Sequence, residues 1–112
     1  MNFETNQKNT VATIKTLVEK LDATNASELK SELLILNKNG VNTIVLDMEA
    51  TKYCDSSGLS AVLAANRLCK DSSGKFVLCG LSDTVAGLIR IAQLDRVFTI
   101  AKNHEEAHEL IK

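Results

Sequence analysis

The tetrapeptide Asp-Ser-Ser-Gly at positions 55–58 brings together a carboxylate, two hydroxyls and a residue without a side chain. An apolar run at 44–48 precedes it and a helical pattern over 59–70 follows it, so the hydroxyls should lie where a helix begins. Unpaired backbone N–H groups and the positive end of the helix dipole favour a phosphate at such a place. Helix capping alone would also explain the carboxylate and the first hydroxyl. The stretch is therefore a candidate phosphate site that residue types alone do not distinguish from a cap.

The same tetrapeptide recurs at 71–74, which provides an internal control. This second copy follows the helical pattern and precedes the apolar run 76–79. A solvated loop, with Gly74 serving the helix end and the turn, explains it without any function. The place of the first copy between a strand and a helix, rather than its four residues, is what marks it as a candidate site.

Two other patterns resemble known sites but lack the rest of the site. Residues 104–108 read H-E-x-x-H, as in zinc proteases, but little chain follows His108 to supply a third ligand, so we expect a polar helix face. Gly74-Lys75 lacks the earlier glycine and the following Ser or Thr of a phosphate loop. No nucleophile has a plausible base near it in the sequence. We therefore expect no metal site, no cofactor and no enzymatic activity.

Hydrophobic periodicity predicts five strands and four helices. The strands are predicted at 2–7, 10–17, 43–48, 76–79 and 97–100, with a turn at Lys8-Asn9. The helices are predicted to begin at a capping box of Asn25 and Glu28, at Leu59, at a cap on Ser82 or Asp83, and at a capping box of Asn103 and Glu106. The order β-β-α-β-α-β-α-β-α predicts one α/β domain over 1–112, with parallel pairing after an antiparallel hairpin.

Composition excludes several classes of protein. The 112 residues carry a net charge of −1 and 4% aromatic residues, which argues against direct nucleic-acid binding. The sequence has neither an apolar run long enough for membrane insertion nor a recognisable signal peptide, so we expect a cytoplasmic protein. Three cysteines, Cys54, Cys69 and Cys79, form no Cys-x-x-Cys pair, so we expect reduced thiols without a disulfide framework or a zinc site.

The chain resembles the STAS-domain family, in particular the small free-standing anti-sigma factor antagonists of bacteria. The resemblance rests on three landmarks in order: Leu21-Asp22 before the first helix, the strand 44–48 followed by 55–59 opening a helix, and 79–82 followed by 94–98. It covers nearly the whole sequence. It implies a mixed β-sheet with helices mainly on one side.

The resemblance also implies a mechanism. A serine kinase that is itself an anti-sigma factor phosphorylates the antagonist at the serine after the aspartate, here Ser56. The unphosphorylated protein binds the anti-sigma factor and frees the sigma factor, and a metal-dependent serine phosphatase resets the switch. The implied partner-binding residues are Asp22, Asp55, Ser56, Ser57 and Gly58. The antagonist would be a substrate and a binding partner rather than an enzyme.

Departures from the family pattern leave the phosphoacceptor in place. Glu19 and Asp83 stand where glycine and proline are common, and Cys54 where a larger apolar residue is usual. Two alternatives from other classes remain open: a STAS accessory or regulatory subunit of a membrane transport system, and a component of a stress-sensing scaffold. The transport-system role would need no phosphorylation, and the scaffold would show as high-order oligomers in solution.

Overall fold

The chain begins with an antiparallel hairpin. In a computed structural model that describes residues 1–111, strand β1 (Phe3–Lys8) pairs with β2 (Val11–Thr16), and Phe3 lies opposite Thr16. The predicted hairpin is confirmed, although its turn lies one residue later than expected, at Asn9-Thr10. Asn9 has φ +58°, a left-handed conformation that asparagine tolerates better than most residues.

In the part of the chain that the structure describes, the main sheet has five strands in the order β1-β2-β4-β6-β7. Its remaining members are β4 (Thr43–Asp47), β6 (Phe76–Cys79) and β7 (Thr99–Ala101), and the pairs β2–β4, β4–β6 and β6–β7 are all parallel. Every residue of β4 and β6 is buried, as expected for central strands covered on both faces.

Within residues 1–111, four helices cover the sheet: α1 (Ala26–Lys38), α2 (Ser56–Asp71), α3 (Asp83–Ile91) and α4 (His104–Leu110). Ile44 and Leu46 of β4 belong to the larger core, together with buried residues of α1, α2 and α3. Val45, whose side chain points to the other face, packs in a smaller cluster with Ala107 of α4. The expected α/β fold, a mixed sheet with helices mainly on one side, is confirmed. No helix within residues 1–111 has the length and apolar character needed to cross a membrane.

The sequence did not reveal a second, very short sheet. Residues Lys20–Leu21 (β3) and Tyr53–Cys54 (β5) pair in parallel outside the main sheet, with Leu21 opposite Cys54. Strands of two residues are too short to show the alternation that predicts longer ones. This pair proves central to the candidate site.

The last strand and the first helix cap were predicted incorrectly. Residues 94–96 form a short 3-10 helix, and Phe98 N–H donates to the Leu94 carbonyl oxygen, so the final strand begins at Thr99 rather than at Val97. Asn25 makes no side-chain cap on α1. Its Oδ1 accepts from the Asp22 N–H at 3.0 Å and its Nδ2 donates to the Lys20 carbonyl oxygen at 2.9 Å.

The other two predicted caps are present. Ser82, rather than Asp83, caps α3 by accepting from the Val85 N–H at 3.2 Å. Asn103 Oδ1 accepts from the Glu106 N–H at 2.9 Å at the start of α4. Both capping residues have extended backbone, which aims their side chains at the free N–H groups, whereas Asn25 has ψ −6°.

The second Asp-Ser-Ser-Gly copy is a helix end, as expected. Helix α2 ends at Asp71, and the left-handed residue after it is Ser73 (φ +61°) rather than Gly74. Gly74 is needed for another reason, because a side chain there would collide with the backbone carbonyl of Asn42. The conformation of this copy is explained by chain geometry alone.

Candidate functional site

The first Asp-Ser-Ser-Gly copy forms the beginning of α2. Asp55 has extended backbone (φ −93°, ψ −173°), and its Oδ1 accepts from the Gly58 N–H at 2.9 Å, so its side chain is the helix cap. The helix starts at Ser56, three residues before the predicted start at Leu59. Both hydroxyls therefore lie in the first turn of α2.

Gly58 allows the start of α2 to lie against the corner between β3 and α1. A side chain at this position would collide with the carbonyl oxygen of Leu21 and lie 2.6 Å from Cys54 Sγ. The same carbonyl accepts a hydrogen bond from the Asp55 N–H at 3.2 Å. The absence of a side chain at Gly58 is therefore what permits this close backbone approach.

Pairing of β3 with β5 brings the two aspartates of the candidate site to the same corner. Leu21 lies opposite Cys54, and Asp22 and Asp55 follow these paired residues directly. Asp22 Oδ1 accepts from the Thr24 hydroxyl at 2.6 Å and from the Thr24 N–H at 3.0 Å. The hydroxyl first, and then the backbone N–H, lower the pKa of Asp22 below its ordinary value of 3.8, so this carboxylate is charged at neutral pH.

A cleft lined with hydroxyls lies between the first turns of α1 and α2. Its volume is about 290 Å³, and its lining residues are Ala23, Ala26, Ser27, Lys30, Ser56, Ser57 and Ser60. Ser56 is exposed and Ser57 is half-buried. The Lys30 ammonium lies 3.4 Å from the Ser60 hydroxyl and is the charged group of this lining.

The structure thus brings all five site residues predicted from the sequence to one corner, where β3, β5, α1 and α2 meet. Sequence reasoning missed Lys30 and Ser60 as neighbours of that corner. Ser60 is four residues after Ser56, a spacing that places both on the same face of a helix. This spacing could have identified Ser60. The approach of Lys30 from α1 depends on how two helices pack, which no local pattern in the sequence shows.

The three cysteines are buried free thiols. Burial, with a smaller contribution from the Asp55 carboxylate, raises the pKa of Cys54 to about 12. Burial likewise raises the pKa of Cys69 to about 11 and that of Cys79 to about 12. Cys54 lies directly beneath the site but is protonated at neutral pH, so it is a packing residue rather than a nucleophile.

The H-E-x-x-H pattern lies away from this corner, on α4. His104 Nε2 and His108 Nε2 are 2.9 Å apart, and His108 Nε2 is 3.4 Å from the Thr13 hydroxyl. Within residues 1–111, no group of three or more His, Cys, Asp or Glu side chains is arranged to hold a metal ion. The histidines connect α4 with β2, on the face of the sheet that carries the smaller core cluster.

Comparison with known proteins gives consistent matches along the chain. The model of the STAS domain family matches residues 2–107. BtrV of Bordetella bronchiseptica, which bears the name of an anti-sigma factor antagonist, is 29% identical over 92 residues, covering 82% of this chain and 79% of BtrV.

Two solved structures that bear the name SpoIIAA show the same fold. SpoIIAA, described as an anti-sigma factor antagonist, superposes in its unphosphorylated form with a TM-score of 0.83 and 22% identity, over 97% of this chain and 95% of SpoIIAA. The phosphorylated form of Bacillus SpoIIAA superposes with a TM-score of 0.76 and 22% identity, over 98% of this chain and 99% of that one.

Proposed function

The chain belongs to the STAS domain family, and we propose that it is an anti-sigma factor antagonist switched by phosphorylation of Ser56. The observation that carries the proposal is the position of Ser56: an exposed hydroxyl in the first turn of α2, next to the capping carboxylate of Asp55 and at the corner that holds Asp22. The name of BtrV and the existence of SpoIIAA in two phosphorylation states support it. In this proposal the domain spans 1–112.

The unphosphorylated corner binds an anti-sigma factor that is also a serine kinase, and binding releases the sigma factor. Asp22 and Asp55 supply carboxylates to this surface, each already held in place by backbone N–H groups. Gly58 holds the Asp55 carboxylate through its N–H, and its lack of a side chain allows the two aspartates to share one corner. Because both carboxylates are already held in place, little ordering entropy is lost when a partner binds to them.

Ser56 fits the role of phosphoacceptor better than Ser57 because it is exposed, whereas Ser57 is half-buried in the cleft. A kinase must surround the accepting hydroxyl and the incoming phosphoryl group, which requires free space. Ser57 contributes to the shape of the surface.

Phosphorylation would switch the surface by direct interference. A phosphoserine adds about −1.5 to −2 charges at neutral pH. A partner surface that fits a neutral hydroxyl would have to remove water from the phosphate next to Asp55. Each increase of about 1.4 kcal/mol in this desolvation cost lowers the binding affinity tenfold. The fold survives because the start of a helix tolerates negative charge. A metal-dependent serine phosphatase, which is a partner rather than part of this chain, restores the hydroxyl.

The test is binding to the anti-sigma kinase recovered from the native cell, with variants at both tetrapeptide copies. Ser56→Ala should bind but accept no phosphate, and Ser56→Asp should bind at least tenfold more weakly. Ser73→Asp is the matched control, because it makes the same charge change at an exposed serine of the second copy, and it should bind like the wild type.

Phosphate on Ser57 or Ser60 of the intact protein would contradict the assignment of Ser56. Recovery of a transporter subunit or of a large stress-sensing assembly, in place of an anti-sigma kinase, would contradict the function itself.

A further inference from the structure

We propose that Lys30 of α1 is the counter-ion of the phosphoryl group on Ser56, so that phosphorylation links α1 to α2 across the hydroxyl-lined cleft. The inference rests on the proposed function, since it concerns the modified state of Ser56. It adds a residue outside the tetrapeptide and a physical reason why the modified protein keeps its fold.

The position of the Lys30 ammonium is the first observation. Its nitrogen lies 3.4 Å from the Ser60 hydroxyl, which is its hydrogen-bonding partner among residues 1–111. Ser60 is one helical turn after Ser56, and side chains at this spacing have Cβ atoms about 5–6 Å apart on one helix face. Ser56, Ser60 and Lys30 accordingly line the same cleft. A phosphoryl group extending from Ser56 into this cleft would enter hydrogen-bonding range of the ammonium.

The second observation is how the aliphatic part of Lys30 is held. Lys30 also lines a neighbouring apolar groove between α1 and α2, together with Leu33, Leu34, Ala64 and Leu68. The methylene groups of a lysine can pack along such a surface while the ammonium reaches the polar side. Lys30 therefore lies between an apolar groove and a polar cleft, and its ammonium is directed toward the second.

The third observation is the charge balance of the cleft. The lining consists of one ammonium, four serines and two alanines, and no carboxylate is among these residues. Asp55 is adjacent in sequence to Ser56, but its Oδ1 is occupied by the Gly58 N–H. A phosphate dianion beside Asp55 would be repelled, and Lys30 is the cation placed to offset that repulsion.

Phosphorylation would therefore change two places on the surface that binds the partner, Ser56 and Lys30. Phosphorylation would add a dianion at Ser56 and at the same time engage the Lys30 ammonium, whose partner in the unphosphorylated form is the neutral Ser60 hydroxyl. A partner that contacts the Lys30 ammonium would lose this contact, because the phosphate on Ser56 would bind the ammonium instead.

The test installs phosphoserine at position 56 during translation, so no kinase is needed, and follows the second ionisation of the phosphate by 31P NMR. Lys30→Met should raise this pKa by about half a unit, roughly threefold in proton affinity, because the cation that favours the dianion is gone. Lys30→Arg should restore the low value. High salt should reduce the difference between Lys30→Met and the wild type.

Lys38→Met is the matched control, since Lys38 is an exposed lysine of the same helix, about 12 Å further along its axis. Equal pKa changes in Lys30→Met and Lys38→Met would overturn the role of Lys30. That result would leave the proposed function intact, which depends instead on kinase binding and on phosphate transfer to Ser56.

Discussion

The backbone N–H of Asp55 donates a 3.2 Å hydrogen bond to the carbonyl oxygen of Leu21, and this bond joins the start of α2 to the corner before α1. The two segments are 34 positions apart in the sequence, but every candidate site residue lies within a few residues of one end of this bond. The geometry of the site therefore depends on the closeness of two backbone segments more than on any single side chain.

Gly58→Ala should destabilise the protein by about 1–3 kcal/mol, because the added methyl group collides with the backbone of Leu21. Gly87 is the matched control. It also lies inside a helix, but a side chain there meets no atom within 4 Å. Gly87→Ala should increase the free energy of unfolding by about 0.5–1 kcal/mol. Urea denaturation of both variants measures the difference, and a neutral effect of Gly58→Ala would contradict the close approach.

Asp55→Ala should lower the free energy of unfolding by about 1 kcal/mol, because the Gly58 N–H loses its cap. Asp55→Ser should keep most of that stability, since a serine hydroxyl can accept the same hydrogen bond, but it removes the charge. Thermal unfolding then measures the role of Asp55 as a helix cap, and binding to the proposed anti-sigma kinase measures the role of its charge in recognition. If the serine variant binds as tightly as the wild type, the Asp55 charge has no part in recognition.

The pKa of Asp22 should depend on the hydroxyl of its neighbour Thr24. Thr24→Val removes the strongest interaction that lowers this pKa, so the Asp22 pKa should rise toward its ordinary value of 3.8. A titration of the Asp22 carboxyl group by two-dimensional NMR, from about pH 2 to pH 6, measures this pKa. An unchanged pKa in Thr24→Val would show that the hydroxyl is not the cause.

Stability should follow the same lowered pKa. Because the folded-state pKa lies below the unfolded one, the contribution of Asp22 is present above the unfolded value and is lost as the pH falls through the folded one. The difference in melting temperature between wild type and Asp22→Asn should therefore shrink as the pH falls below about 3.8. A difference that stays constant over this range would contradict the assignment.

The three thiols should be inert in the native state. All are buried, and their pKa values are raised to about 11 or 12, so the thiolate is scarce at pH 8 (roughly). Reaction with a maleimide should be slow in buffer and complete within minutes in denaturant, as followed by mass spectrometry. Rapid labelling of Cys54 in the native protein would show that the corner opens readily.

Much of this fold follows from local patterns in the sequence. The apolar runs at 44–48 and 76–79 predict strands, and both strands are present as β4 and β6. The caps at Ser82 and Asn103 are local interactions over three residues, so they too could be predicted. The prediction of a mixed sheet came from the resemblance to the STAS family, which the family model confirms over residues 2–107.

Contacts between distant segments could not be predicted in the same way. Asn25 has the residue type and spacing of a helix cap, but its side chain is engaged by Asp22 and Lys20 across the β3 corner. In the sequence, Lys30 is only a polar residue beside the apolar stripe of α1. Its contact with Ser60 depends on the packing of α2 against α1. Strands of two residues leave no periodic signal, so the β3–β5 pair emerged only in three dimensions.

The β3–β5 pair lies apart from the five-stranded sheet, and residues around it such as Ala23, Thr24, Lys52 and Tyr53 are exposed. Substitution of these exposed side chains would leave the hydrophobic core around β4 and β6 unchanged. If this corner binds a partner as proposed, substitutions at these exposed positions would change the binding surface while the buried β-sheet stays the same.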